Sequence, residues 1–111
     1  MGSVAMDKKG NMALGYSVVN GVDVFPGIRY TGRLAGDPLG QMTLGEGTII
    51  DGSGVQTTTN SRWGDYTDIT VDPTDDCTFW YVNEYYQVSG TTADTRPWQT
   101  RIASFKLPGC Q

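Results

Sequence analysis

The sequence predicts an all-β chain, and three observations carry that reading. The chain repeats itself: Ser3-Val-Ala-Met-Asp7, Asn11-Met-Ala-Leu-Gly-Tyr16 and the stretch Phe25 to Leu34 recur in order as Asp68-Ile-Thr-Val-Asp72, Cys77-Thr-Phe-Trp-Tyr81 and Trp98 to Leu107. No stretch keeps apolar residues at helical spacing through three turns. Fifteen glycines and only 18% charged residues, among many Thr, Tyr and Val, suit short strands joined by turns. The repeat offset is 65 for Val4/Ile69, Asp7/Asp72 and Met12/Cys77, and 73 for Phe25/Trp98, Arg33/Lys106 and Leu34/Leu107. One insertion of eight residues near Gln87–Pro97 therefore aligns the copies. Such repeats mark stacked architectures, because one unit seldom buries its apolar faces alone.

Strands are expected near 3–7, 11–19, 25–34, 45–50, 66–72, 78–87 and 98–107. Asp7-Lys-Lys-Gly10 reads as a tight turn after the first, and Asp72-Pro-Thr-Asp-Asp76 as its counterpart. Asn20-Gly21 suits a primed hairpin turn. Ala35-Gly-Asp-Pro-Leu-Gly40 is a turn-rich connector, and Asp51-Gly-Ser-Gly54 with Gln56-Thr-Thr-Thr-Asn60 is a polar loop between the copies. Met12-Ala-Leu-Gly-Tyr16 and Thr78-Phe-Trp-Tyr-Val82 carry apolar groups on both faces, as strands do when sheets stack on either side. Three strands, a fourth, then three again fit two antiparallel blades, the second lacking its outer strand. A closed two-sheet sandwich fits the count as well, but the repeat favours blades. The chain divides as residues 1–50 (first blade), 51–65 (inter-blade loop) and 66–111 (second blade).

Composition narrows the function. A length of 111 residues allows one core, and a net charge of −4 gives no general attraction to nucleic acid or anionic membrane. No apolar run approaches the ~20 residues of a membrane-spanning helix, and no secretory leader is read at the start. The absence of histidine removes Ser-His-Asp and Cys-His constellations and His-bearing zinc sites, and no glycine-rich phosphate cradle occurs. Cys77 and Cys110 allow one disulfide, which would suit an exported protein. The strand after next runs in the same direction, an argument that sets the two cysteines at opposite edges, so the bridge stays an open question here.

Asp7-Lys-Lys-Gly-Asn-Met-Ala-Leu-Gly-Tyr-Ser17 resembles the blade hairpin of sialidase-like (BNR-type) β-propellers, with its Asp-x-x-Gly-Asn turn entering an apolar strand. Ser61-Arg-Trp-Gly-Asp-Tyr66, leading into Ile69-Thr-Val-Asp-Pro73 and Cys77-Thr-Phe-Trp80, is similar to the last blade of uncharacterised exported bacterial propellers of that kind. The resemblance implies about two four-stranded blades and an extracellular or cell-surface location. Neither turn meets the strict Ser-x-Asp-x-Gly-x-x-Trp box, and no sialidase catalytic residue can be placed, so none is carried over. Closed propellers hold about 4–8 blades. Two blades alone would leave large apolar faces bare. The expectation is a ring completed by homo-oligomerisation, three copies being the simplest solution, with a four-bladed dimer or a fragment of a longer propeller as alternatives.

Arg62-Trp63-Gly64-Asp65-Tyr66 is the leading local constellation, since an indole stacks on a pyranose while Arg donates to its hydroxyls and Asp accepts from them. The plainer alternative has Trp63 wedged between blades and Arg62 paired with Asp65. Trp98 and Arg101, with Arg96 nearby, form a second aromatic-plus-cation set, loosely matched by Phe25 and Arg29 in the first copy. There the plainer reading is packing of Trp98 against Phe79 or Trp80. Glu84 and Tyr85 are strand neighbours that point to opposite faces and cannot act as one acid–base pair. Asp65, Asp68, Asp72, Asp75 and Asp76 could hold calcium through oxygen ligands or flank a hydrolysed glycosidic bond, but backbone capping is the commoner role of Asp in turns. The favoured function is a non-catalytic, glycan-binding recognition module with no cofactor. The alternatives are a relative of a glycoside hydrolase and a purely structural domain of a larger exported protein.

Overall fold

A computed structural model describes residues 1–57, 62–90 and 98–111. Among these residues seven strands form in the expected places: β1 (Ser3–Met6), β2 (Met12–Val18), β3 (Gly27–Arg33), β4 (Gly47–Ile50), β5 (Asp68–Val71), β6 (Phe79–Tyr85) and β7 (Gln99–Phe105). They make two antiparallel meanders, a four-stranded sheet β1-β2-β3-β4 and a three-stranded sheet β5-β6-β7. There is no helix among the described residues. A bulge between Ile28 and Arg29 shifts the register of β4 on β3.

The first turn closes as its sequence dictates. Gly10, at φ 83°, donates to the Asp7 carbonyl at 2.9 Å, while the Asp7 carboxylate accepts from the amides of Lys9 and Asn11 and from the Asn11 side chain. The second turn, Asp72–Thr78, does the same work with two more residues: seven separate β5 from β6, against five between β1 and β2. Asp72 accepts from the Thr74 amide and hydroxyl, and Asp75 from the Cys77 and Thr78 amides and the Thr78 hydroxyl. These carboxylates cap their own backbone. Among the described residues no group of three or more acidic or cysteine side chains gathers to hold a metal.

Those bonds hold the Asp75 carboxyl well below its ordinary 3.8, the Thr78 hydroxyl contributing most, then the Thr78 and Cys77 amides. Asp72 is lowered too, chiefly by the Thr74 amide and then by the Trp80 indole. A carboxyl depressed on folding stabilises the fold fully above its unfolded value and loses that contribution as the pH falls through the folded one. The melting temperature should therefore drop as the pH is taken below about 4, and Asp75→Asn should flatten that acid limb. Thermal melts across the acid range check it; parallel curves for both proteins would refute the assignment.

The strand registers correct the alignment of the copies. Ser3–Met6 matches Asp68–Val71 at an offset of 65, Met12–Val18 matches Phe79–Tyr85 at 67, and Gly27–Arg33 matches Gln99–Phe105 at 72. The extra length is split between the two hairpin loops instead of forming one insertion; most of the second loop, 91–97, lies outside the described residues. The Asn20-Gly21 hairpin turn is also overturned. Neither residue has a positive φ, and Asn20 instead organises a longer loop, its side-chain oxygen accepting from the amides of Val22, Asp23 and Val24.

Cys77 and Cys110 are bridged, with Cα atoms 5.6 Å apart. The expectation of opposite edges fails because β6 and β7 are adjacent, not alternate, strands. Phe79 pairs with Phe105, so the residue before β6 lies beside the chain that leaves β7.

The sheets stack with matching strand order and direction. β1 lies by β5, where the Ser3 and Thr67 hydroxyls are 2.8 Å apart, and the N-terminal amine donates to the Gly64 carbonyl. At the other end the Lys8 amide donates to the Asp76 carbonyl at 2.9 Å. β2 lies over β6, with Gly15 against the Tyr81 ring and Asn83 donating to the Ser17 hydroxyl. β3 lies over β7, with Tyr30 and Phe105 stacked at 4.0 Å. The core between the sheets holds Ala13, Ile28, Ile69, Phe79, Tyr81 and Tyr85. Each sheet thus has one dry face. The other faces carry apolar groups in the open: Val4 and Met6 are 58% and 55% exposed, Trp80 and Ile102 44% and 65%. The radius of gyration is 15.2 Å, above the ~13 Å of a compact domain of this length, and the shortest dimension is 19 Å. That is a two-layer slab of sheets ~10 Å apart.

Candidate functional site

Five of the six sequence-selected binding residues meet at one end of the second sheet. Arg62, Trp63, Asp65 and Tyr66 precede β5, and Trp98 precedes β7; antiparallel pairing brings both segments to the end where β6 finishes. With Gly64 and Glu84 they line a cleft of about 430 Å³. Gly64, at φ 53°, makes the bend that carries Trp63 and Asp65. Its buried backbone is also close to the Asn83 side-chain oxygen, which a Cβ would approach to 3.1 Å.

Arg62 grips Asp65 with two guanidinium nitrogens, its Nε at 2.6 Å from the carboxylate. This is the local pairing that the structural alternative expected, and it still leaves the guanidinium largely in solvent, 70% exposed. Trp63 packs against Tyr86 and Trp98 at 4.9 and 5.0 Å, and Tyr86 meets Trp98 edge-on at 4.8 Å. Three rings in mutual contact hold the cleft wall rigid. Tyr66 stands 90% exposed at the rim. Among the described residues, the Trp63 indole N–H and the Tyr86 hydroxyl are buried without a hydrogen-bond partner.

Two sequence readings fail here. Trp98 packs on Trp63 and Tyr86, not on Phe79 or Trp80, because it lies beyond the Tyr85–Gln99 pair while Phe79 and Trp80 occupy the opposite end of β6. Arg101 does not join Trp98. Three positions further along it takes the other face of the strand and lines a separate groove with Tyr30, Thr48 and Ile49. Arg96 and Ser61 lie outside the described residues. Phe25 lines a smaller pocket of about 210 Å³ with the Asn20–Val24 loop and Val55, and Arg29 pairs with Glu46 instead. Glu84 and Tyr85 point apart, Glu84 into the cleft and Tyr85 into the core.

The sequence reading missed Tyr86 as the third ring. Its signal was present but local: β6 ends at Tyr85, alternation stops there, and two consecutive tyrosines are both buried. Comparison with protein-family models, with curated proteins and with solved structures finds no match.

Proposed function

We propose that this chain is a non-catalytic recognition module, a pair of sialidase-like propeller blades, which binds carbohydrate in the cleft between Arg62 and Trp98 and whose ring is completed by further copies of the chain, three giving six blades. The observation that carries the reading is the shared cleft itself: Trp63, Trp98 and Tyr66 lie beside Arg62, Asp65 and Glu84. Pyranoses need that combination, an aromatic surface for their C–H face and charged acceptors and donors for their hydroxyls. An exported location agrees with the Cys77–Cys110 bridge. Multivalent display would raise the avidity of a shallow sugar site.

The glycoside-hydrolase alternative has one observation in its favour: two carboxylates, Asp65 and Glu84, line the same cleft. Asp65, however, is already engaged by two guanidinium nitrogens of Arg62. A fluorogenic glycoside panel separates the two readings, and turnover lost on Glu84→Gln would favour hydrolysis. For binding, a glycan array followed by titration of tryptophan emission is the test. Trp98→Ala should weaken the best ligand about tenfold or more, ~1.4 kcal/mol or above, with the melting transition retained. An array with no bound glycan, and emission unmoved by mono- and oligosaccharides, would end the proposal.

A further inference from the structure

Two sheets with the same strand order and the same strand directions, one above the other, are related by a screw-like displacement and not by a two-fold axis. They therefore meet front to back. The registers agree: Gly15, on the buried face of the first sheet, matches Val82 on the open face of the second, whereas buried Tyr81 matches Leu14 on the open face of the first. The two open faces are thus the same two kinds of surface that already pack together inside one chain.

We infer that copies of this chain associate head to tail, the open face of the first sheet of one copy seating on the open face of the second sheet of the next. The inference rests on the blade reading above and specifies its interface. In the contact within one chain, small residues of the first sheet (Ala13, Gly15) receive large ones of the second (Phe79, Tyr81). Across the open faces Met12 and Leu14 meet Trp80 and Val82 at the matching positions, apolar residues of substantial size on both sides. Because one face takes the other and never itself, the contact is heterologous, and it makes a ring or a filament depending on the rotation per step. The wedge shape selects the ring. Near β1 and β5 the gap is narrow, crossed by the Ser3–Thr67 hydroxyl contact and by the Lys8 amide donating to the Asp76 carbonyl, whereas near β3 and β7 it holds the stacked rings of Tyr30 and Phe105. Each step therefore turns about an axis on the β1/β5 side.

One consequence reaches the cleft. Ser17, which Asn83 contacts, matches Glu84, and Asn83 matches Tyr16. The same packing places Tyr16 of the next copy against Glu84 at the cleft wall. The Tyr16 hydroxyl is already committed within its own chain, where it donates to Glu46.

The test mixes two single variants of the full chain, Leu14→Cys and Val82→Cys, with a short bis-maleimide. Cross-linked dimers should form in the mixture and not in either variant alone. Light scattering on the unmodified chain should give one finite mass, and Met12→Glu or Trp80→Glu should reduce it to that of a monomer with unchanged circular dichroism. A monomeric wild type would overturn both the ring and this interface. A finite oligomer that cross-links Leu14→Cys to itself, or shows no cross-link in the mixture, would overturn the interface and leave the ring. Mass that grows without limit at higher concentration would overturn closure.

Discussion

Removing the Cys77–Cys110 bridge should lower the stability of this protein by about 4 kcal/mol. The bridge spans a sequence separation of 33 residues, and the chain-entropy relation for a loop of that length gives ~4 kcal/mol. Against a total stability of roughly 5–15 kcal/mol, that is a large share, and it corresponds to a fall in melting temperature on the order of 15 °C or more. Both sulfurs are buried, so reduction needs an opening of the second sheet, and the reduced form should appear slowly in mild reductant. The double variant Cys77→Ala/Cys110→Ala isolates the effect from thiol chemistry. Calorimetry with and without reductant on the wild type, set beside the variant, checks the size. Equal melting temperatures would show that the hairpin β6–β7 is held by its ladder and core alone.

All seven strands were legible because their signals are local. Alternation and turn residues place β1 to β7 within two residues of their ends. What the sequence hid depends on partners. The bridge stayed open in the sequence because adjacency of β6 and β7 is a property of the sheet, not of either cysteine. The hairpin at Asn20 was misread because an Asn side chain can organise a loop as effectively as a left-handed backbone, here by accepting from three amides. In the cleft, Arg62 to Tyr66 and Trp98 were legible as a set, since antiparallel pairing returns the start of β5 and the start of β7 to one end. Arg101 does not belong to that set, because three positions along a strand reverse the face a side chain takes. Tyr86 was overlooked because a period of two predicts nothing past the end of its strand.

Tyr81→Ala should cost about 3–5 kcal/mol, the usual range for deleting a buried aromatic ring, and should bring the chain close to unfolding. Tyr81 is 1% exposed at the centre of the contact between the sheets, and its hydroxyl accepts from Asn83 at 2.8 Å. The ring reaches the opposite backbone only because residue 15 has no side chain: a Cβ there would stand 2.5 Å from the Tyr81 ring. Gly15→Ala should therefore be destabilising by about 1–3 kcal/mol through overpacking, although alanine suits a strand no worse than glycine. The two changes act on one space and should not add. Combined with Tyr81→Ala, Gly15→Leu should restore part of the lost stability by filling the hole from the other side, with a coupling of roughly 1–3 kcal/mol. Urea titrations of the two singles and the double measure it. Additive losses would mean that the sheets re-space freely around position 15. A recovered double variant would mean that the layer between them has a fixed depth, filled by a large residue on one sheet and a small one on the other.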